Sequence, residues 1–378
     1  MRVLLTTDTI GGVWTYTKEL TEGLLQRSHS IALISFGRSP SADQSAWCSA
    51  ICAKYPEHFH YTASETPLEW MDANGSAYAG AENLLLHTAQ SFGADLVHSN
   101  QFCFGRLPVS IPKLVVAHSD VLSWAAACRP CGLEPSPWLN TYKRQVQEGL
   151  SSADAVVAPT HWMLLALADH FSLPGEAYVI ANGRDLSLGF TRGPRKLQAV
   201  TVGRLWDEAK GLALLGAVSS PMPIFVAGEL DHQRSTAPQS VGDATLLGQL
   251  HEALLMDLFG SSSIYLALSV YEPFGLAPLE AALCGCAVIA RDIASLREVW
   301  GDAALYFQDA RSLSSLLGRL TGDPELLGEF RRLALNCARK MSRSRMTELY
   351  LRLYRHLLAP DSPFLPVHAL AEVPQRAS

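Results

Sequence analysis

The residues best suited to chemistry lie in one stretch, SVYEPFGLAPLEAALCG, residues 269–285. Pro273 and Gly275 forbid helix locally, and an apolar period starts at Leu276 with Pro278 tolerated in the first turn. This places Glu272 in a loop at a helix mouth and Glu280 one to two turns inside the helix. The N–H groups near Phe274, Gly275 and Leu276 leave such a helix start with the positive end of its dipole, which suits phosphate oxygens. Two carboxylates so near an anion site repel a bare phosphate but fit one flanked by neutral hydroxyls that donate to them. A ligand made of a ribose, a diphosphate and a second sugar meets both demands. The plain alternative is a surface Glu and an ordinary helical Glu, for which a Pro-Phe-Gly loop is a poor connector.

Arg204 and Lys210 flank the turn in VGRLWDEAKGL and form a natural diphosphate clamp, Arg by its fork and Lys as a point charge; taken alone they also read as ordinary exposed cations. Gly11 and Gly12 follow the first apolar run and let a ligand approach the backbone, as any tight strand-to-helix turn also requires. The spacing G-x-G-x-x-G is absent there, which removes the main support for nicotinamide or flavin chemistry. Trp14 and Tyr16 are candidates for an acceptor pocket, or one core contact and one surface residue. His118, followed by Ser119 and Asp120, ends a strand and reads as a sugar contact or base, or equally as a structural His.

The elements that would position these residues alternate. Apolar runs at 3–7, 31–36, 95–99, 113–118, 155–159 and 177–181 are expected strands, with helices near 13–27, 81–92, 138–150 and 161–171. A Gly- and charge-rich linker is expected over 182–196, after which strands at 197–203, 222–228, 263–269, 287–290 and 304–307 alternate with helices near 211–218, 249–258, 276–284 and 312–321. The class is α/β: two doubly wound, Rossmann-like domains facing an interdomain cleft, with ligands at the carboxyl ends of the strands. The expected division is 1–188 against 189–341.

Composition excludes several classes. A chain of 378 residues, 48% hydrophobic and 17% charged, is globular, and 30 Lys+Arg against 36 Asp+Glu provide no global positive field for nucleic acid. The N-terminus lacks a signal-peptide core and no run of about 18 apolar residues occurs, so a cytoplasmic protein is expected. Eight Cys are too sparse for a disulfide scaffold; Cys284 and Cys286 read as core, and the single Cys128-x-x-Cys131 pair lacks partners for a zinc site. Two helices over 324–358 carry eight Lys/Arg and two Glu between Glu329 and His356, read either as a solvated surface or as a peripheral contact with the inner face of an anionic membrane. The tail with Pro363, Pro366 and Pro374 reads as a frayed end.

Together, EPFGLAPLE with its E-x7-E spacing, VGRLWDEAKG, the NG of VIANGRD, the glycine pair and His118 resemble family 4 of the retaining glycosyltransferases, of the glycosyltransferase-B fold. These anchors run in order from residue 11 to 280, and the resemblance implies that a C-terminal helix within 342–378 crosses back to join the domain of 1–188. The resemblance implies that Glu280 holds the donor ribose and Glu272 the transferred sugar. Arg204 and Lys210 would bind the diphosphate, assisted by Gly12 and the amides of Gly275 and Leu276, and His118 would approach the reacting carbon. LLGQL, residues 246–250, matches the loop that meets the base, making Gly248 and Gln249 candidates. The implied reaction is metal-independent transfer of a hexosyl unit from a nucleoside diphosphate sugar, UDP favoured over GDP or ADP, to a hydroxyl of a glycan, lipid-linked or small acceptor. No cofactor is required. Region 38–80 and loop 123–140 carry no landmark of that family and leave the acceptor open. The rival readings are a nucleotide-sugar epimerase on the same scaffold and an inactive nucleotide-sugar-binding protein.

Overall fold

A computed structural model describes residues 1–72, 75–185, 195–229 and 241–359. The chain forms two compact units: Met1–Ser123 with Cys131–Gly183 and Arg343 onward, and Trp124–Pro130 with Arg184–Ser342. A short piece of the chain's first half, Trp124–Pro130, belongs to the second unit.

The first unit runs β1 (Arg2–Asp8), α1 (Gly12–Leu25), β2 (Ser30–Phe36), α2 (Ala42–Lys54), β3 (Phe59–Ala63), α3 (Ala77–Phe92), β4 (Leu96–Ser99) and β5 (Lys113–Val116). It continues with α4 (Val121–Cys128), α5 (Pro137–Ser152), β6 (Ala155–Ala158), α6 (His161–Ala168) and β7 (Ala177–Val179). Its seven strands are ordered β3-β2-β1-β4-β5-β6-β7, all parallel. Helices cover both faces, so β4 and β6 are buried at every position and read as continuous apolar runs. One face packs Leu4, Ile34 and Val97 on Leu85 and Phe104; another cluster joins Val115 and Val156 to Tyr142, Val146 and Met163. Ser136 and Thr160 cap α5 and α6, and Pro137 opens α5 where no intrahelical N–H is needed.

The second unit follows with β8 (Lys196–Val202), β9 (Ile224–Ala227), β10 (Thr245–Gly248), α7 (Glu252–Ser261), β11 (Ser262–Ala267) and α8 (Leu276–Leu283). Then come β12 (Ala287–Arg291), α9 (Ala294–Trp300), β13 (Leu305–Phe307), α10 (Ala310–Gly322) and α11 (Pro324–Ala338), while α12 (Arg343–Leu358) returns to the first unit. Six parallel strands are ordered β10-β9-β8-β11-β12-β13. Their core joins Ile264, Leu266 and Ile289 to Leu313, Leu317 and Phe307.

The helix expected over 211–218 is instead two 3-10 turns, Glu208–Lys210 and Leu212–Ala217, separated by Gly211 at φ +63°. An added Cβ there would lie 2.4 Å from the Leu268 carbonyl oxygen, so this turn presses on the end of β11 in a way only glycine permits. Region 38–80 holds α2 and the edge strand β3, and loop 123–140 contains part of α4 and the start of α5. Much of the expected linker, residues 186–194, and the Pro-containing tail lie outside the described residues.

Candidate functional site

In each sheet the strand order reverses between neighbouring strands, β1/β4 in the first unit and β8/β11 in the second. The carboxyl ends at such a switch point diverge and leave a crevice, the usual ligand position in open α/β sheets.

At the second unit's switch point, Arg204 and Lys210 follow β8, and Glu272 follows β11. The Val270 N–H donates to the Ala209 carbonyl oxygen at 2.8 Å and stitches the two loops together. Lys210 Nζ consequently lies 2.8 Å from Glu272 Oε2, which also accepts from Ser269 Oγ at 2.9 Å. Gly275, at φ +92°, opens α8; a Cβ there would meet Pro278 Cγ at 2.8 Å and Glu272 Cγ at 3.4 Å. The Phe274 side chain is buried, so only its backbone is available to a ligand. Leu276 is half-buried at the first position of α8.

Asp207 holds the Arg204 guanidinium, Nη2 to Oδ2 at 2.6 Å, while its Oδ1 accepts from the Ala209 amide at 3.0 Å and from Trp124 Nε1 at 3.2 Å. Burial opposes the charged form of Asp207, but Arg204 and Lys210 outweigh it and hold the carboxyl below its ordinary range. Glu280 faces Arg184, whose Nε lies 2.8 Å from Glu280 Oε1. Gly248, at φ +69°, ends β10, and the exposed Gln249 follows it in the loop to α7. Glu272 and Lys210 are thus brought together, as are the Arg204 and Lys210 loop and the start of α8. The second carboxylate, Glu280, is paired with a buried cation that sequence reasoning passed over. Arg184 stands in the quoted NGRD and Asp207 in VGRLWDEAKG, so the signal for each was a charged residue inside a motif read for its neighbours.

In the first unit Gly11 and Gly12 are exposed at the start of α1, beside the β1/β4 switch. His118 Nε2 lies 2.9 Å from Asn100 Oδ1, and Asn100 Nδ2 donates to the Thr6 carbonyl oxygen at 2.7 Å. The second bond fixes the amide orientation, so Asn100 Oδ1 accepts from His118 Nε2–H and leaves Nδ1 as an acceptor. Burial pushes the His118 pKa down to about 3, so the ring is neutral near pH 7. Asn100 escaped the sequence reading; its signal was a polar Ser-Asn-Gln directly after an apolar strand.

Three acceptor candidates are corrected. Tyr16 is fully buried, with its hydroxyl 3.1 Å from His98 Nε2 and its ring edge-on to His118. Trp14 is also buried, edge-on to Trp47 at 5.8 Å. Both face inward because α1 is covered on one side by Trp47 of α2 and on another by α12. Asp120 is buried at the start of α4, where Oδ1 accepts from the amides of Leu122 at 2.8 Å and Ser123 at 3.0 Å. Its carboxylate is engaged by the first amides of a helix.

All eight Cys are free; burial raises the Cys286 pKa to about 12, so that thiol stays protonated. Among the described residues, no three or more His, Cys, Asp or Glu are grouped to hold a metal ion, and no helix is long and apolar enough to cross a membrane. Of the basic residues at 331–355, Arg331 donates to the Gly285 carbonyl oxygen and Arg343 pairs with Glu19 and Glu22, whereas Arg332, Arg339, Lys340, Arg345, Arg352 and Arg355 are exposed. Arg332 of α11, with Arg339 and Lys340 after it, belongs to one unit, and Arg345, Arg352 and Arg355 of α12 belong to the other.

Comparison with known proteins gives these sites a context. Residues 10–188 match the model of Glycosyltransferase Family 4, and residues 196–323 that of Glycosyl transferases group 1. The alpha-maltose-1-phosphate synthase of Mycolicibacterium smegmatis is 25% identical over 316 residues, covering 70% of this chain and 80% of that protein. Sucrose-phosphate synthase of Thermosynechococcus elongatus superposes with a TM-score of 0.74 at 19% identity, covering 95% of this chain and 100% of the other. Anabaena HepE, solved with UDP and glucose, superposes with a TM-score of 0.70 at 16% identity over 94% of this chain and 99% of that one. The chain belongs to glycosyltransferase family 4, has the glycosyltransferase-B fold of two Rossmann-like domains, and transfers a sugar from a nucleotide-sugar donor.

Proposed function

We propose that the protein is a retaining, metal-independent hexosyltransferase that uses a nucleoside diphosphate sugar, with UDP-sugar favoured over GDP- or ADP-sugar. The observation that carries this reading is the meeting of Lys210 and Glu272, 2.8 Å apart, beside the start of α8 at the sheet's switch point. In this reading the diphosphate takes the Lys210 ammonium, the Arg204 fork and the first amides of α8, including those of Gly275 and Leu276. Those charges and dipoles are preorganised where the leaving group gains negative charge, so they act on the transition state without a metal ion. Glu272 accepts from the transferred sugar and Glu280 from the ribose, while Gly248 and Gln249 meet the base. UDP is favoured because HepE has been solved with UDP and with UDP-glucose.

Gly11 and Gly12 admit the donor phosphates close to the backbone, and neutral His118 accepts from a sugar hydroxyl through Nδ1. Attack by the acceptor hydroxyl on the same sugar face as departure, its proton passing to the leaving diphosphate, breaks the anomeric C–O bond and forms the new one with retention. The acceptor is a hydroxyl compound, whether glycan, lipid-linked or small; exposed cations on α11 and α12 are available for peripheral contact if it is lipid-linked.

The test is donor hydrolysis without added acceptor, followed by proton NMR. An α-linked donor should give the α-hexose first, with no loss of rate in a chelator. Release of the β-anomer first overturns retention. Conversion of the donor to an isomeric nucleotide-sugar would establish the epimerase reading instead, and an untouched donor the inactive one.

A further inference from the structure

We infer that Arg184 is a positioning residue for the nucleoside half of the donor: it holds Glu280 in place and ties that carboxylate to the start of α7. This rests on the reading of Glu280 as the ribose contact. The Arg184 side chain is 5% exposed and stands between two carboxylates from different helices. Its Nε lies 2.8 Å from Glu280 Oε1, and its Nη2 lies 2.5 Å from Glu252 Oε1. Glu280 is 10% exposed and Glu252 is 51% exposed, so the guanidinium links a buried acid to one at the surface.

Glu252 is the first residue of α7, directly after the Gly248–His251 loop assigned to the base. The Arg184 backbone is itself anchored, its N–H donating to the Met341 carbonyl oxygen at 3.0 Å. A planar, permanently charged fork suits this place: it presents several donors in fixed directions, where lysine offers one mobile point charge. With Oε1 of Glu280 committed to Arg184, the carboxylate plane is set, and so is the direction from which ribose hydroxyls can donate to it. Through Glu252 the same guanidinium sets the start of α7. The ribose contact and the base loop therefore share one positioning group, the Arg that follows the NG of VIANGRD.

The test is a cycle of ligand and residue changes. Binding of UDP, ADP and GDP and of their 2′,3′-dideoxy counterparts is measured by titration calorimetry on the intact chain and on Arg184→Ala. The unsubstituted protein should prefer the ribonucleotide of its best base by about tenfold to a hundredfold, the worth of a hydrogen bond to a charged group. In Arg184→Ala that preference should fall to about unity while the dideoxy affinity changes by less than about twofold. Glu252→Gln, at an exposed position that folding tolerates, should lose part of the preference, and it serves should Arg184→Ala fail to fold. A merely structural role would weaken both ligands equally. Full ribose preference in folded Arg184→Ala, or in Glu252→Gln, overturns the inference alone. Absence of any preference in the unsubstituted protein removes the ribose reading of Glu280, and the inference with it.

Discussion

Lys210 and Glu272 pair across 2.8 Å with side chains only 20% and 18% exposed, so the cost of desolvating them offsets much of their attraction. In the proposed reaction their importance lies elsewhere, because charge develops on the leaving diphosphate beside the ammonium. Lys210→Ala is expected to lower kcat by about 100-fold or more in protein that still unfolds cooperatively. Steady-state kinetics alongside urea unfolding checks this, and unchanged turnover removes the clamp assignment. Asp207 belongs beside this pair. By gripping Arg204 and accepting from the Ala209 amide, it fixes the turn that carries both cations, a function its place in the sequence did not advertise.

Among the elements, α12 shows how a peripheral helix becomes structural. Its Arg343 pairs with Glu22 and with Glu19, whose side chain is 1% exposed, while the Tyr354 hydroxyl lies 2.6 Å from His98 Nδ1. Thr347 lies against Gly23 of α1, where a Cβ would come within 2.0 Å of the Thr347 hydroxyl oxygen. Removing Arg343 takes a cation away from the buried Glu19, and breaking such a pair costs about 3–5 kcal/mol. Urea denaturation of Arg343→Ala should show a loss of that order, and a loss below about 1 kcal/mol would show that the pair is not a structural anchor. The same burial explains why Tyr16 packs in the core: a one-face view of α1 from its own period does not reveal that a helix more than 300 residues later covers its other side.

At the scale of the molecule, acid sensitivity follows from two buried imidazoles. Burial pushes the pKa of both His98 and His118 down to about 3, from 6.5 in an exposed chain. The unfolded chain therefore binds more protons than the native one between those values. The stabilisation is complete above about pH 6.5 and falls as pH drops toward 3, by up to about 1.4 kcal/mol per pH unit for each ring. Thermal unfolding between pH 7 and 4 should show the decline, with a shallower slope in His98→Asn. An equal slope in that variant would assign the acid sensitivity to other groups. Nucleotide binding should oppose the loss, since a ligand held only by the native state raises apparent stability.

The strand-helix alternation, the two doubly wound halves and the Glu272, Arg204 and Lys210 motifs were legible in the amino-acid order. Apolar runs buried on both faces and glycine-marked turns are local signals. β3 was not legible, because an edge strand buries few of its side chains; nor was α2, although its Ser41 and Gln44 form a capping box that the sequence spells out. The 3-10 turns around Gly211 were equally hidden, since their cause is the Leu268 carbonyl group of another strand. Sequence alone thus determined which chemistry the donor site could hold, because residue type and short-range spacing set that. Only tertiary structure decided which partner each charge meets: Arg184 on Glu280 and Glu252, Asp207 on Arg204, Asp120 on the start of α4, and Tyr16 beneath α12. Those pairings join residues through folded space, and no local period along a chain encodes which distant side chain will supply a buried group's countercharge or cover.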